Sequence, residues 1–279
     1  MRSVTTFTQL PLHETSPGFV QGSVAHGGPQ NLSPFLSLTD FHMSQPTFAP
    51  HPHAGFSAVT YMFLDSEGSF TNRDSSGDER TIFPGSLHWT QAGGGMMHEE
   101  VPSDPGVDCH GLQLFVNLHS SDKHATPAAF HLDLDDIPEL EPSEGVFVRV
   151  VVGSCDNVKS PLDGLLTPIN FLDIHLAPRK SFTAHIPSEH RAVVLVVRGS
   201  VTISDTVFRV NTAATLEGPD TGIEFQGGPK GANVLLLSGE PIREPVVLVG
   251  PYAMTTEDDI VAAQQRFRRG DMGHLAPSF

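Results

Sequence analysis

A chain of 279 residues with 38% hydrophobic content can build one sizeable core or two smaller ones, and two domains are the better expectation. Sixteen basic against 32 acidic residues give a formal charge of -16, which repels a phosphate backbone, and no Lys/Arg-rich run offsets it, so direct nucleic-acid binding is set aside. No uncharged apolar run approaches the roughly 20 residues that span a bilayer, no signal-peptide-like segment opens the chain, and Cys109 and Cys155 are too few for a disulfide scaffold; the chain reads as soluble and cytoplasmic, with reduced thiols.

Glycine (26) and proline (23) are scattered between short apolar runs at 56–64 (FSAVTYMFL), 110–118 (HGLQLFVNL), 147–153 (FVRVVVG), 192–203 (AVVLVVRGSVTI) and 233–239 (NVLLLSG). Short runs broken by turn residues predict β-strands, and their number points to sandwiches or barrels rather than a parallel sheet with crossover helices. Helical periodicity enters only at 255–270. There Thr256 precedes an acidic first turn, Ile260, Val261, Ala263 and Phe267 recur at helical spacing, and Gly270 supplies a stop, which predicts a helix over 256–268. The acidic, proline-containing stretch 132–145 divides two β-rich parts of similar length, predicting units over 1–134 and 145–279.

The chemistry concentrates in the first unit. Side chains in a strand alternate, so His51 and His53 of HPH face one way and Pro52 the other. Forty-five residues after His53, His98 and Glu100 of HEE repeat the i, i+2 relation, while Glu99 points to the opposite face, where an exposed side chain bears little on stability. Two such pincers on neighbouring strands make a site of three imidazoles and one carboxylate. That donor set suits one divalent first-row ion, Fe(II) being the choice over Mn, Co, Ni, Cu or Zn, because four protein ligands on an octahedral ion leave positions for O2 or a chelating substrate. Each pair alone reads better as surface histidines or a solvated acidic turn; together they reverse that reading. The triple glycine 93–95 is a turn delivering the strand of His98, since no phosphate-binding Lys-Ser/Thr follows it. Met62, Met96 and Met97 are read as core, and His42 and His88 as neighbours of the motif without an assigned role.

The ordered segments NLSPFLSLTDF (31–41), HPHAGFSAVTYMF (51–63), NRDSSG (72–77), PGSLHWTQAGGGMMHEEVP (84–102) and SGEPIREPVVLVGPYAMTTEDDIVAAQQRFRRG (238–270) resemble the pirin family. The resemblance implies an all-β bicupin, two tandem jelly-roll (double-stranded β-helix) barrels with a short C-terminal helix. The metal would lie in the first barrel on His51, His53, His98 and Glu100. The second barrel would be structural despite His185, Glu189 and His190, since no H-x-H pair recurs there. Where pirins commonly carry arginines, this chain has Ala54 and Gly94, so positive charge near the pocket mouth is expected to be missing. The resemblance also implies two functions: a quercetin 2,3-dioxygenase-like enzyme acting on a small aromatic substrate and O2, with Glu100 taking a proton, or a metal- and redox-sensing module read by a protein partner, as in a transcription cofactor.

Overall fold

The computed structural model describes residues 2–25 and 32–279. Met1, and Asn31 at the head of the 31–41 segment, lie outside the described residues. The chain opens with strands β1 (Ser3–Gln9), β2 (His13–Ser16), β3 (Phe19–Ala25), β4 (Phe35–Met43), β5 (His51–His53) and β6 (Phe56–Met62). It continues through β7 (Phe70–Asp74), β8 (Glu79–Ile82), β9 (Leu87–Gln91), β10 (Met96–Pro102), β11 (Cys109–Asn117) and β12 (Ala128–Leu132). A seven-stranded sheet runs β12-β9-β6-β11-β4-β3-β2, and a four-stranded sheet runs β5-β10-β7-β8. The strand pairs are antiparallel, as tight turns between short strands require, and an isolated parallel bridge joins Ala54 to Tyr252.

The rest of the chain builds a nine-stranded sheet whose central strands are Thr212–Glu217, Arg191–Ile203, Gly222–Gly239, Ile169–Leu176 and Val146–Val152. Its interior is filled by apolar side chains, Val148, Val150, Ile174, Val194, Leu236 and Phe225 among them. One edge strand is Glu139–Ser143, from the acidic stretch between the two β-rich parts. The opposite edge is β1 itself, which pairs with Thr212–Glu217, and Arg2 ahead of it is buried with its guanidinium donating to the carbonyls of Pro187 (2.6 Å), Ser188 (3.1 Å) and Asp220 (2.7 Å). The far end of the chain makes the reverse crossing. Tyr252, Met254, Ile260, Ala263 and Met272 pack on Ala54 next to β5.

Between the sheets, Val59, Tyr61 and Leu114 of the first part pack with Val151, Phe171 and Leu237 of the second in one continuous core. Polar bonds pin the same interface: Tyr61 Oη donates to Asp173 Oδ2 (2.7 Å) and accepts from Arg149 Nη1 (2.7 Å). Both faces of β6 are therefore buried, and Ser57 and Thr60 are buried along with its apolar residues.

The helix α1 (Glu257–Arg269) forms where expected. Thr256 Oγ1 accepts from Asp259 N (3.2 Å), Asp259 Oδ2 accepts from Thr256 N (3.0 Å), and Gly270 ends the helix at φ 81°. Its buried face is narrower than the periodicity suggested. Ile260 and Ala263 are buried against the strands Val247–Val249 and Tyr252–Met254, while Val261 and Phe267 are 49% and 40% exposed.

Candidate metal centre

Strand register builds the centre. β10 lies between β5 and β7, with His98 opposite His51 on one side and opposite Asp74 on the other. The turn after β5 is fixed by Gly55, whose φ of 84° and whose approach to Ala253 O, 2.0 Å from where a Cβ would stand, admit no side chain. Lys123, itself buried, ties the same turn down by donating to Gly55 O (2.9 Å), Ala253 O (2.8 Å) and Asn117 Oδ1 (2.7 Å). The glycine turn at 93–95 leads directly into β10, as expected, and Met62, Met96 and Met97 are buried core.

The three imidazoles converge. Their ring centroids are 4.8 Å (His51–His53), 4.7 Å (His51–His98) and 4.6 Å (His53–His98) apart. Burial favours the neutral form of all three: it lowers His51, draws His53 down to about 3, where a second positive charge beside His51 would also be repelled, and takes His98 well below the usual range. Outer hydrogen bonds then choose the tautomers. His51 donates Nδ1–H to Ala49 O (3.0 Å) and His98 donates Nδ1–H to Asn72 Oδ1 (3.3 Å), so each presents a bare Nε2 lone pair, and these two atoms face each other at 3.2 Å. Two lone pairs at that distance repel unless an electrophile lies between them. Ligands held cis on one ion by bonds of about 2.1 Å stand about 3 Å apart, so the donor set fits a first-row divalent metal.

Glu100 lines the same cavity but stands outside this group of three, its Oε1 accepting from Thr60 Oγ1 (2.6 Å) on the facing sheet. Burial raises its carboxyl to about 7, with the Thr60 bond pulling the other way. The cavity above the histidines, about 290 Å3, is walled by Phe19, Phe41, Phe48, Phe70, Phe115 and Met43, with Gln21, Thr39 and Gln113 as its other polar groups.

Glu99 does face away from the histidines, but it is fully buried rather than exposed. The C-terminal tail folds over it: Arg73 pairs with its carboxylate, Ser278 N donates to Oε1 (3.2 Å), and Arg73 also donates to Ala276 O (3.0 Å). Burial pushes the Glu99 carboxyl up, but the bonds from Arg73 and Ser278 win and hold it below the usual range.

His42 lies on the other side of β4 from Phe41 and Met43, stacked on His110 at 4.0 Å and bonded to Asp108 (2.7 Å). Among the described residues, Asp40, His42 and His110 are the second group whose ligand atoms come together, but both nitrogens of His110 are taken by Asp40 and Asp65 (3.1 Å each). His88, by contrast, is buried inside the first barrel. Neither Ala54 nor Gly94 lines the cavity. Ala54 is buried against Met254, a Cβ on Gly94 would stand 3.2 Å from the Arg266 guanidinium, and none of the described residues lining the cavity is a lysine or arginine. In the second barrel His185 and Glu189 are exposed, and His190 is bonded to Ser238 (3.3 Å).

Two all-β units of antiparallel sheet, with a histidine cluster in the first and an apolar interior in the second, define a bicupin. Residues 19–116 match the Pirin family profile and residues 171–273 that of the Pirin C-terminal cupin domain. A pirin-like protein of Solanum lycopersicum is 36% identical over 265 residues, covering 94% of this chain and 89% of its own. Human pirin is 35% identical over 261 residues, covering 91% and 88%. The chain belongs to the pirin family. The crystal structure of a quercetin 2,3-dioxygenase from Acinetobacter baumannii superposes with a TM-score of 0.86 at 31% identity, covering 98% of this chain and 99% of that one.

Proposed function

We propose that the protein is a metal-dependent oxidoreductase that opens a flavonol-like aromatic ring with O2, in the manner of a quercetin 2,3-dioxygenase. The observation that carries this reading is the pair of bare Nε2 atoms of His51 and His98, 3.2 Å apart beneath an open cavity walled by phenylalanines. His51, His53 and His98 would hold one divalent ion, with Fe(II) the first choice among Fe, Mn, Co, Ni, Cu and Zn, and Glu100 would join them or stand beside them as the base. Such an ion supplies Lewis acidity and open positions for O2 and a substrate oxygen. The chain supplies the rest. Phe41, Phe48, Phe70 and Phe115 sandwich a flat ring and keep water off it, while Glu100, poised near neutrality by burial, takes the proton of the substrate hydroxyl.

The similarity to a quercetin 2,3-dioxygenase supports the same class. An open apolar cavity favours the enzyme over a metal-sensing module read by a protein partner. No helix among the described residues is long and apolar enough to cross a membrane, and we place the activity in the cytoplasm. The two cupin units are proposed to run over 1–134 and 145–279, with β1 lent to the second sheet. Elemental analysis of the purified protein together with oxygen uptake on quercetin tests the function: one equivalent of a first-row metal and quercetin-dependent uptake are expected, and metal-loaded protein that consumes no oxygen overturns the enzymatic reading.

A further inference from the structure

The register of the seven-stranded sheet places Gln113 opposite Thr60, Thr60 opposite His88, and His88 opposite His131. Directly opposed residues share a face, and Gln113 lines the cavity while Thr60 reaches Glu100, so the whole row faces inward. A polar row across the inside of a barrel is costly unless its atoms are bonded. At its near end they are: Thr60 Oγ1 lies 2.6 Å from Glu100 Oε1 and 3.1 Å from Gln113 Oε1. At its far end His131 Nε2 donates to Asp133 Oδ1 (3.2 Å), whose side chain is 61% exposed.

The middle lacks protein partners. His88 is 1% exposed and neither ring nitrogen meets a protein group; its ring is 5.7 Å from that of His131, centroid to centroid, with no direct bond. Around the same interior, Asn72 Nδ2, Thr90 Oγ1 and His131 Nδ1 are also buried without a protein partner. The other face of Asn72 holds the centre, accepting from His98.

We propose that the row Gln113–Thr60–His88–His131 is a hydrated passage from the floor of the cavity to the surface at Asp133, with His88 holding the water inside it. The passage deepens the reading of the same site: an aromatic ring seated among the phenylalanines closes the mouth, and the passage leaves His98 and Glu100 a second way to exchange protons with solvent. Internal waters in proteins occupy such places, bonding polar groups that no protein atom meets. A neutral imidazole suits the middle position, since one nitrogen accepts from a water while the other donates to the next, and burial keeps His88 neutral by drawing it down to about 4.

The test uses the full-length protein loaded with Zn(II) and labelled with 15N-histidine, in which solvent exchange of the His98 Nδ1–H is measured by NMR. That hydrogen faces Asn72 rather than the cavity, so its exchange reports on the passage. Wild type and His88→Gln, which retains a donor and an acceptor, should exchange at similar rates, and His88→Leu at least tenfold more slowly with the backbone amide spectrum otherwise preserved. A high-resolution crystal structure of the wild type should show water between Thr60 and His88 and between His88 and His131. Equal exchange in all three proteins overturns the passage, as does a crystal structure in which protein groups alone meet both His88 nitrogens; the latter applies even where His88→Leu does not fold. None of these readouts needs turnover, so a protein that exchanges as expected but consumes no oxygen with quercetin overturns the oxygenase and leaves the passage standing.

Discussion

Thr60 donates to Glu100 across the gap between the two sheets of the first barrel, at 2.6 Å, and that bond lowers a carboxyl that burial has raised to about 7. Thr60→Val keeps the shape and removes the donor. The Glu100 carboxyl is then expected to titrate higher still in the metal-free protein, read by 13C NMR of the labelled side chain, and the acid limb of any oxygenase activity should move up with it.

The same group sets a pH dependence of stability. Its folded value of about 7 lies above the ordinary 4.5, so the native chain holds more of this proton than the unfolded chain between those values. Its contribution is complete below pH 4.5 and is lost as pH rises through 7. The neighbouring histidines, lowered by burial, work in the opposite sense, so the comparison must be with Glu100→Gln. The metal-free wild type should lose stability relative to that variant as pH rises from 4.5 to 7, in denaturant titrations at each pH.

Replacing His51, His53 or His98 by alanine should abolish metal retention after dialysis, measured by elemental analysis, while His119→Ala and His124→Ala keep full stoichiometry. Too few donors remain in the first three proteins for tight binding. Full metal content in His53→Ala would sink the assignment.

Glu99→Gln and Glu100→Gln should separate cleanly. Removing one partner of the buried Arg73–Glu99 pair is expected to cost on the order of 3 kcal/mol of folding stability in denaturant titrations, with metal content unchanged. Glu100→Gln should leave the fold intact and lose most oxygenase activity or metal affinity. Metal lost from the Glu99 variant but not from the Glu100 variant would reverse the facing of β10.

Lys123 holds three acceptors at the turn after β5, and Lys123→Met strands them, at a cost on the order of 2–4 kcal/mol. Burial draws this lysine down to about 8 from 10.5, so the unfolded chain holds more of its proton between those values. Its contribution is greatest above 10.5 and falls as pH drops through 8. Alkaline denaturant titrations should show stability rising across that window relative to Lys123→Met, and parallel curves would refute the assignment.

Local periodicity made much of this legible in the sequence. His51, His53 and His98 could be placed on one face because a strand repeats every two residues, and α1 because Thr256 and Gly270 mark its ends. What stayed hidden depends on partners distant in the chain. Glu99 looked like a bystander because its burial comes from Ala276 and Ser278, about 180 residues on. His88 acquires meaning only through its register with Thr60 and His131, and β1 carries no local mark of the sheet it joins. The position of Glu100 turned on Thr60, 40 residues away in the chain and on the facing sheet.

Each end of the chain is lodged in the opposite barrel: β1 along Thr212–Glu217, and the tail beyond α1 across the back of β10. The halves are therefore clasped rather than merely docked. A protease cut within 132–145 severs the covalent link yet leaves two reciprocal grips in place, so the nicked protein should run as a single species and melt in a single transition. The histidine cluster, whose backing strand is held by residues from the far end, then becomes a property of the clasp as much as of the barrel that contains it.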